Sequence, residues 1–244
     1  MEIKGKTALI TGGARRVGKT IALTLATKGA NVAITYNRSD DDACQTVSEM
    51  RSVGVCADSF QCDVTQWQRV KTAVDAVLKS FGRIDILVNN AAVFPKTPFS
   101  SLCEEDWNFN IDTNLKGPFM FSKLVGDWML KQKSGKIINI ADWAGMRPYL
   151  DYIPYCVSKA GVVALTQALA NTLAPAIQVN AISPGPVLMP EDMSFEEIHA
   201  IEQRVPLKRI GSPQDIANTV AFLIEGSDFI TGSVFAVDGG RFIA

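Results

Sequence analysis

The sequence predicts one α/β domain, a doubly wound parallel sheet of about seven strands with helices on both faces. Short β-branched or apolar runs alternate along the chain with longer stretches whose apolar residues recur at helical spacing. Repeated strand–helix–strand units imply a parallel sheet, because crossover helices join parallel strands. No linker or low-complexity segment interrupts the alternation, so residues 1–244 are expected to form a single domain.

The predicted strands are short and mostly apolar, as strands buried on both faces of a parallel sheet should be. In chain order they are "TALIT", "NVAITY", "CADSFQC", "IDILVNN", "GKIINIA", "AIQVNAIS" and "SVFAVD". The first helix follows from "VGKTIALTLATKGA", where Val17, Ile21 and Leu25 form one apolar stripe. Asp40-Asp41-Asp42 marks the start of the next helix, because carboxylates favour the positive end of the helix dipole.

Composition excludes several classes of function. The formal net charge is −1, so no basic surface for nucleic acid or an anionic membrane is expected. The first residues resemble a strand rather than a signal peptide, and no apolar run approaches the ~20 residues of a membrane helix. Five scattered cysteines show no metal-ligand spacing and indicate reduced thiols. We therefore expect a cytoplasmic protein that acts on a small molecule, without a metal.

A glycine-rich turn follows the first strand. In "ITGGARRVGKT", Gly12 and Gly13 form the turn and Gly18 lies in the start of the helix. Glycines at such a turn let backbone N–H groups approach a pyrophosphate at the helix N-terminus. The pattern differs from G-x-G-x-x-G and has Arg16 where a third glycine is common.

A tyrosine and a lysine four residues apart indicate acid–base chemistry. On a helix, Tyr155 and Lys159 share one face. A free tyrosine ionises near pH ~10, and a neighbouring ammonium favours the phenolate, so Lys159 is expected to lower the pKa of Tyr155. The pair can then pass a proton to a substrate while a hydride arrives.

The chain resembles the short-chain dehydrogenases/reductases over nearly its whole length. Six motifs carry the resemblance in order: "TGGARRVG", "CDV", "NNAA", "NLKG", "YCVSK" and "SPGPV". Within that family it is most similar to pteridine and dihydrofolate-type reductases, by the two arginines of the glycine turn, "YNRS", "NNAAVF" and an aspartate, Asp142, at the usual serine position. The resemblance implies a Rossmann-type fold and hydride transfer from a nicotinamide cofactor.

The resemblance also implies roles for individual residues. Lys159 would hold the nicotinamide ribose as well as assist Tyr155, and Asn114 would lie at a helix kink and join a water relay to Lys159. Further cofactor contacts are implied at Gly12, Arg16, Val17, Asp63, Val64, Asn90, Ala91, Ala92, Pro184, Gly185 and Val187. The family usually has a glycine at Ala92 and often a threonine at Met189. Residues 184–211 correspond to a mobile lid, and the C-terminal tail packs near a neighbouring subunit in tetrameric relatives.

The residues after the second strand favour NADPH over NADH. An NAD enzyme has an acidic residue there to bind the ribose 2′-hydroxyl. This chain reads Tyr36-Asn37-Arg38-Ser39 instead. A guanidinium, an amide and a hydroxyl suit a 2′-phosphate, because charge-assisted hydrogen bonds stabilise it.

Asp142 makes the expected substrate unusual. A carboxylate repels a carbonyl oxygen that gains negative charge, unless the carboxyl is protonated. The ring nitrogens of a pterin need protons after hydride attack, and Asp142 can supply or orient them. Arg16 can reach the pyrophosphate and the pterin carbonyl, and Phe94 lies where pteridine reductases keep the aromatic ring that stacks on the pterin.

The expected function is therefore NADPH-dependent reduction of a pterin or dihydrofolate-like substrate. The expected catalytic residues are Tyr155 as proton donor, Lys159, Asp142 and Asn114, and Arg16 and Phe94 would position the substrate. Two alternatives stay open: an NADPH-dependent carbonyl reductase acting on a substrate such as a 3-oxoacyl thioester, and an NADPH-binding protein without catalysis. The resemblance further implies a homo-oligomer, a tetramer.

Overall fold

The computed structural model describes residues 1–189 and 193–244, and the seven predicted strands form one sheet. The strands are β1 (Thr7–Ile10), β2 (Asn31–Tyr36), β3 (Ala57–Gln61), β4 (Ile86–Asn89), β5 (Gly135–Ile140), β6 (Ile177–Pro184) and β7 (Val234–Val237). They lie in the order β3-β2-β1-β4-β5-β6-β7, and every neighbouring pair is parallel. This confirms the predicted parallel sheet.

Eight α-helices connect and cover the strands in the part of the chain that is described. They are α1 (Arg16–Thr27), α2 (Asp40–Ser52), α3 (Trp67–Phe81), α4 (Glu104–Ile111), α5 (Gly117–Gln132), α6 (Ile153–Leu173), α7 (Phe195–Arg204) and α8 (Pro213–Glu225). One apolar core joins α1, α2 and α8 to the sheet, and a second joins α3, α5 and α6 to the opposite face. The sheet is thus doubly wound, as predicted.

The central strand β1 is buried on both faces of the sheet. All four of its residues are buried, and Ala8 pairs with Val32 on one side and Ile86 on the other. Successive side chains point to opposite faces, so Leu9 packs in one core while Ala8 and Ile10 pack in the other. The apolar stripe predicted for α1 also holds, since Ile21 and Leu25 are fully buried.

Helix α6 is the longest helix and carries Tyr155 and Lys159. It has 21 residues, and a window of 18 of them reaches a mean hydropathy of 1.2, so by length and composition alone it would suffice to cross a membrane. Its Val162, Ala170 and Leu173 pack in the cores beside the sheet. The apolar character of α6 is therefore that of a helix buried within a globular domain.

Strands β1 and β4 are neighbours in the sheet. From β1 the chain continues through β2 to β3 at one edge, and from β4 it continues through β5 and β6 to β7 at the other edge. At such a switch point the loops after the two strands separate and leave a crevice at the carboxyl edge. The predicted site residues follow the carboxyl ends of β1, β2, β3, β4, β5 and β6. The fold thus brings them to one edge of the sheet.

Candidate active site

A cleft of about 660 Å³ opens at the carboxyl edge of the sheet, and we call it the large cleft. It extends from the glycine turn to the loops after β2, β3 and β4. Its lining includes the predicted cofactor residues Gly12, Arg16, Val17, Asn37, Arg38, Ser39, Asp63, Val64, Asn90, Ala91 and Ala92. Motifs that are up to 80 residues apart in sequence therefore meet around one cavity.

The glycine turn has the backbone geometry that close approach to a ligand requires. Gly12 has φ +63°, and a Cβ on Gly18 would lie 2.2 Å from the Gly12 carbonyl oxygen, so a side chain at Gly18 is excluded. Arg16 also adopts a left-handed conformation, with φ +54°. A glycine would adopt this conformation without strain. Such strain in a non-glycine residue occurs often at functional sites.

Asn90 organises this turn through its side chain. Its amide nitrogen donates to the carbonyl oxygens of Thr11 (3.0 Å) and Gly12 (3.1 Å). In return, the Thr11 hydroxyl accepts from the backbone N–H groups of Asn90 (2.9 Å) and Ala91 (3.0 Å). The Asn90 side chain therefore joins the ends of β1 and β4, and it shapes the large cleft by holding the turn in place.

The end of the large cleft near β2 and β3 is polar. Arg38 is exposed and Ser39 is half-buried beside it. Partial burial would raise the pKa of Asp63, but hydrogen bonds from Thr65 and Gln66 and the charge of Arg38 hold that pKa below its ordinary value. The end thus combines an ionised carboxylate with an exposed guanidinium, groups that can bind an amino group and a phosphate.

Beyond the inner end of the large cleft, four side chains form what we call the acid–base cluster: Asp142, Tyr149, Tyr155 and Lys159. Asp142 follows β5 and caps a short 3₁₀ turn at 143–145, where its Oδ1 accepts from the Ala144 backbone N–H at 2.7 Å. Its Oδ2 accepts from the Tyr155 hydroxyl at 2.8 Å. The structure thus brings together Asp142 and Tyr155, which are 13 residues apart.

The electrostatics of the cluster contradict one prediction. Burial, and then the Asp142 carboxylate that accepts its hydrogen bond, raise the pKa of Tyr155 well above its ordinary value. The prediction that Lys159 lowers this pKa is therefore wrong. Asp142 Oδ2 lies 2.8 Å from the phenol oxygen, so its charge acts on that oxygen at hydrogen-bond distance. Tyr155 is accordingly a neutral phenol, the form that donates a proton.

Burial also shifts the pKa values of Asp142 and Lys159. It raises the pKa of Asp142, although hydrogen bonds from Ala144 and Tyr155 and the charge of Lys159 oppose the rise. It lowers the pKa of Lys159 to about 8, against the opposing effect of Asp142. Lys159 donates to the Ile140 carbonyl oxygen at 2.8 Å, which fixes its ammonium at the end of β5.

Asn114 lies at the predicted irregularity of a long helix. A π-helical segment, Asp112–Lys116, separates α4 from α5. Such segments often mark functional sites. The Asn114 amide donates to the Val93 carbonyl oxygen (3.0 Å) and to Ser158 Oγ (3.2 Å), and it accepts from the Val93 N–H (2.8 Å). Asn114 thus connects the loop after β4 to α6, and a water relay through it stays a prediction.

Phe94 lies in an aromatic group whose arrangement changes its expected role. One face stacks on Tyr152, with ring centres 4.3 Å apart and planes within 8°. The edge contacts are with Tyr155 at 4.5 Å and Tyr149 at 5.9 Å. The predicted stacking of a substrate on Phe94 can therefore use only the face opposite Tyr152, and this role of Phe94 stays a prediction. Thr97 holds the two loops together by donating its backbone N–H to the Asp151 carbonyl oxygen at 2.7 Å.

The predicted cofactor residues at the end of β6 and in the loop after it lie outside the lining of the large cleft, as do Tyr155 and Lys159. Pro184 ends β6, and Gly185 packs so closely that a Cβ would lie 2.6 Å from Asp238 Cα. Val187 packs against the core on the α1 side of the sheet. Of the predicted lid, Pro190, Glu191 and Asp192 lie outside the described residues, and α7 forms its later part. The roles of Pro184, Gly185 and Val187 toward a cofactor stay predictions.

Sequence reasoning missed several residues that build the site. Arg15 lines the large cleft beside Arg16, Thr11 holds the glycine turn, and Ser158 binds Asn114. Tyr149 and Tyr152 also escaped notice, although both stand in the stretch between Asp142 and Tyr155. The sequence contains no periodic signal for these two, because they lie in the loop between β5 and α6.

The chain is similar to known proteins over nearly its whole length. A family model described as enoyl-(acyl carrier protein) reductase matches residues 12–241. The 3-oxoacyl-(acyl-carrier-protein) reductase FabG of Staphylococcus epidermidis is 39% identical over 242 residues, which cover 98% of this chain and 99% of that protein. The FabG of Thermotoga maritima is 35% identical over 247 residues, with both chains fully covered.

The chain belongs to the short-chain dehydrogenase/reductase family. Solved structures of the same architecture include a 7α-hydroxysteroid dehydrogenase complexed with NADH, with a TM-score of 0.93 and 33% identity over 98% of this chain and 95% of that one. An actinorhodin polyketide ketoreductase with NADPH has a TM-score of 0.92 and 34% identity, with 98% of each chain covered. The protein is thus an NAD(P)H-dependent oxidoreductase with a Rossmann-type fold.

Family membership confirms the broader resemblance seen in the motifs. The finer resemblance to pteridine reductases is not what the comparisons support, because the relatives named above are 3-oxoacyl reductases. The four features that favoured a pterin are real residues of this chain, but similarity over the full length outweighs them. Asp142 at the usual serine position is then a feature that a carbonyl reductase has to accommodate.

Proposed function

We propose that the protein is an NADPH-dependent reductase of a carbonyl group, with 3-oxoacyl thioesters as the substrate class. The observation that carries the proposal is the Tyr155 hydroxyl, a buried neutral phenol 2.8 Å from Asp142 with Lys159 beneath its ring. A neutral phenol at this point can protonate a carbonyl oxygen as hydride reaches the carbon. Relatives over the whole chain bear the matching name.

The large cleft fits NADPH as the hydride donor. Its glycine turn exposes backbone N–H groups at the start of α1, where a pyrophosphate is stabilised by the helix dipole. Arg38 and Ser39 lie at the far end, where a 2′-phosphate would accept charge-assisted hydrogen bonds, and Arg15 and Arg16 add two further cations to the lining. When bound, the reduced nicotinamide supplies the hydride, while these residues bind and orient the cofactor.

Asp142 is compatible with a carbonyl substrate when it is protonated. A carboxylate would repel the oxygen that gains negative charge, but burial raises the pKa of Asp142 and favours the neutral acid. A neutral Asp142 can donate a hydrogen bond toward the same oxygen that Tyr155 protonates, in the manner of an oxyanion-hole donor. After transfer, Asp142 can pass a proton to Tyr155: its own O–H bond breaks as that of the phenol forms again.

A pterin substrate remains a second candidate, favoured by the aromatic group around Tyr155. Phe94, Tyr149 and Tyr152 present ring edges and faces within 6.1 Å of one another, and a flat heterocycle can stack in such surroundings. The Tyr152 ring already covers one face of Phe94. A pterin must therefore use the opposite face of Phe94 or displace Tyr152, which the first candidate does not require.

The test is NADPH oxidation with an acetoacetyl thioester, dihydrobiopterin and dihydrofolate under the same conditions. The proposal predicts turnover of the thioester, with a 3-hydroxyacyl thioester as product, at a kcat/KM well above that of either pteridine. Turnover of dihydrobiopterin alone would replace the proposal with the second candidate. Failure to reduce any of the three, with NADPH bound, would leave the reading of an NADPH-binding protein without catalysis.

We also propose that the chain acts as a single domain in a cytoplasmic homo-oligomer. Large apolar side chains that are exposed on α4 and α5, such as Trp107 and Phe119, support the oligomer, because a second copy of the chain can cover them. The five cysteines are free, as the reduced state requires. Sedimentation velocity of the purified protein would measure its oligomeric state, and a monomer at micromolar concentration would contradict this part of the proposal.

A further inference from the structure

Asp142 accepts hydrogen bonds from two groups besides the Tyr155 hydroxyl. Its Oδ1 is 2.7 Å from the Ala144 backbone nitrogen and 3.4 Å from the Tyr149 hydroxyl, while its Oδ2 is 2.8 Å from the Tyr155 hydroxyl. The contact with Tyr149 is long for a hydroxyl–carboxylate bond, so it is the weakest of the three. One carboxyl group is thus held by two phenols, one on each oxygen.

The Tyr149 side chain is held in place by its surroundings. Its ring packs edge-to-face against Trp143 at 5.2 Å and Phe94 at 5.9 Å, and its backbone N–H donates to Cys156 Sγ at 3.3 Å. Burial, and then the charge of Asp142, raise the pKa of the Tyr149 phenol, which therefore keeps its proton. The hydroxyl is a permanent donor, whereas the proton of Tyr155 leaves during turnover.

That difference defines a problem that the site must solve. Once Tyr155 has protonated the substrate oxygen, its phenolate faces Asp142 Oδ2 across 2.8 Å. A neutral Asp142 must then present its own O–H to the phenolate from Oδ2, and an unrestrained carboxyl group could rotate so that this O–H points elsewhere. Asp142 can return a proton to Tyr155 only if its Oδ2 stays where it is.

We propose that Tyr149 is a positioning residue for Asp142. Its hydroxyl holds Oδ1, together with the Ala144 N–H, so that Oδ2 keeps facing Tyr155 after the phenol has given up its proton. This role rests on the proposed function in one respect, namely that Tyr155 is the proton donor. It does not depend on whether the substrate is a thioester or a pterin.

Tyr152 offers a matched control, because it belongs to the same aromatic group. Its ring stacks on Phe94, and within residues 1–189 and 193–244 its hydroxyl makes no hydrogen bond to Asp142. The change Tyr149→Phe removes one hydroxyl and keeps the ring. The change Tyr152→Phe removes a hydroxyl of the same kind from the neighbouring ring.

The first measurement is independent of substrate. The carboxyl carbon of Asp142 is followed by ¹³C NMR in protein labelled with [¹³C]aspartate, with Asp142→Asn used to assign the signal. We expect Tyr149→Phe to raise the pKa of Asp142, because a donor that stabilises the carboxylate is lost. Tyr152→Phe should leave that titration unchanged. Equal titrations in wild type and Tyr149→Phe would overturn the proposal.

The second measurement is steady-state turnover against pH on whichever substrate is reduced. Tyr149→Phe should lower kcat about fivefold, as expected for one weak hydrogen bond, and leave the KM for NADPH unchanged. The midpoint of the limb that depends on Asp142 should move upward with the NMR titration. A Tyr149→Leu variant tests the contribution of the ring. If Tyr149→Leu and Tyr149→Phe have the same altered pH profile, the hydroxyl is responsible for the effect. If Tyr149→Phe keeps the wild-type profile and only Tyr149→Leu departs from it, the ring is responsible and the proposal is wrong. If no substrate is reduced at all, the proposed function fails, and the NMR titration still decides the role of Tyr149.

Discussion

The large cleft and the acid–base cluster lie side by side at the carboxyl edge of one sheet, yet they place their charges differently. Arg15, Arg16 and Arg38 of the large cleft are exposed, whereas Tyr155 and Lys159 of the cluster are only 6% and 3% exposed. An exposed cation can pair with the negative charge of a ligand. Buried groups act first on one another, and their pKa values shift before any ligand arrives.

Substitutions in the two regions should therefore have separable effects. Removing a cation from the large cleft should change cofactor affinity, because that cation has few partners within the protein. Removing a member of the acid–base cluster should change proton transfer and the pH profile, because its partners are other titratable groups. Asn114 and Val93 are joined by hydrogen bonds and connect the two regions. Substitutions at these residues should therefore affect both cofactor affinity and proton transfer.

The largest expected effect is that of Tyr155→Phe, which removes the donated proton and keeps the ring. We predict a loss of kcat of about 10²–10⁴-fold, the usual contribution of a positioned general acid. NADPH affinity should stay within about twofold of wild type, because a shift of one hydrogen bond in the cluster does not reach the large cleft. Stopped-flow turnover and fluorescence titration measure the two quantities. A parallel loss of NADPH binding would show that the two regions are not separable.

The next largest effect is expected for Arg38→Ala in the large cleft. NADPH binding should weaken by roughly 1.5–3 kcal/mol, which is about 10–100-fold, because a charged hydrogen bond to the 2′-phosphate is lost. NADH, which lacks that phosphate, should bind nearly as before.

Calorimetric titration of both cofactors provides the measurement, with Arg51→Ala as control. Arg51 lies at the end of α2, is 59% exposed and does not line the large cleft, so its removal changes the net charge by the same amount at a distance from the cleft, although it also breaks a hydrogen bond to the Ala57 carbonyl oxygen. Equal losses for NADPH and NADH would mean that Arg38 does not contact the 2′-phosphate.

A third prediction concerns the pH dependence that Lys159 imposes. Burial lowers its pKa to about 8, so the cofactor-free protein loses this ammonium as the pH rises through 8. If Lys159 binds the nicotinamide ribose as an ammonium, kcat/KM for NADPH should fall up to about tenfold per pH unit above that point. Lys159→Arg should remove this limb, since arginine stays charged. A profile that stays flat to pH 9.5 in the wild type would contradict the assignment.

The same shift has the opposite effect on folding. The unfolded chain holds this proton up to an ordinary lysine pKa, near 10.5, so between 8 and 10.5 it binds more protons than the folded chain. The free energy of unfolding should therefore rise with pH across this window as far as Lys159 alone is concerned. Binding and stability thus move in opposite directions, which distinguishes loss of the ammonium from general alkaline unfolding.

Much of the fold follows from the sequence, because parallel strands and amphipathic helices have local patterns. All seven strands and the start of α2 at Asp40 were predictable in this way. The motifs that meet in the large cleft were also predictable, since they follow strand ends. The pKa of Tyr155 was not, because it depends on the distance of 2.8 Å to Asp142 and on burial that only the folded chain creates. Tyr149 and Tyr152 escaped for the same reason, as loop contacts have no periodic signal.

The Asp142→Ser variant tests most directly the claim that a protonated Asp142 works beside Tyr155 in carbonyl reduction. The measurement is kcat/KM for an acetoacetyl thioester against pH, in wild type and variant, at saturating NADPH. We predict that wild-type activity falls as Asp142 ionises, and that the variant, whose serine hydroxyl donates at every pH, lacks this limb and is the faster enzyme at high pH. Identical profiles, or a variant that is slower at every pH, would contradict the account.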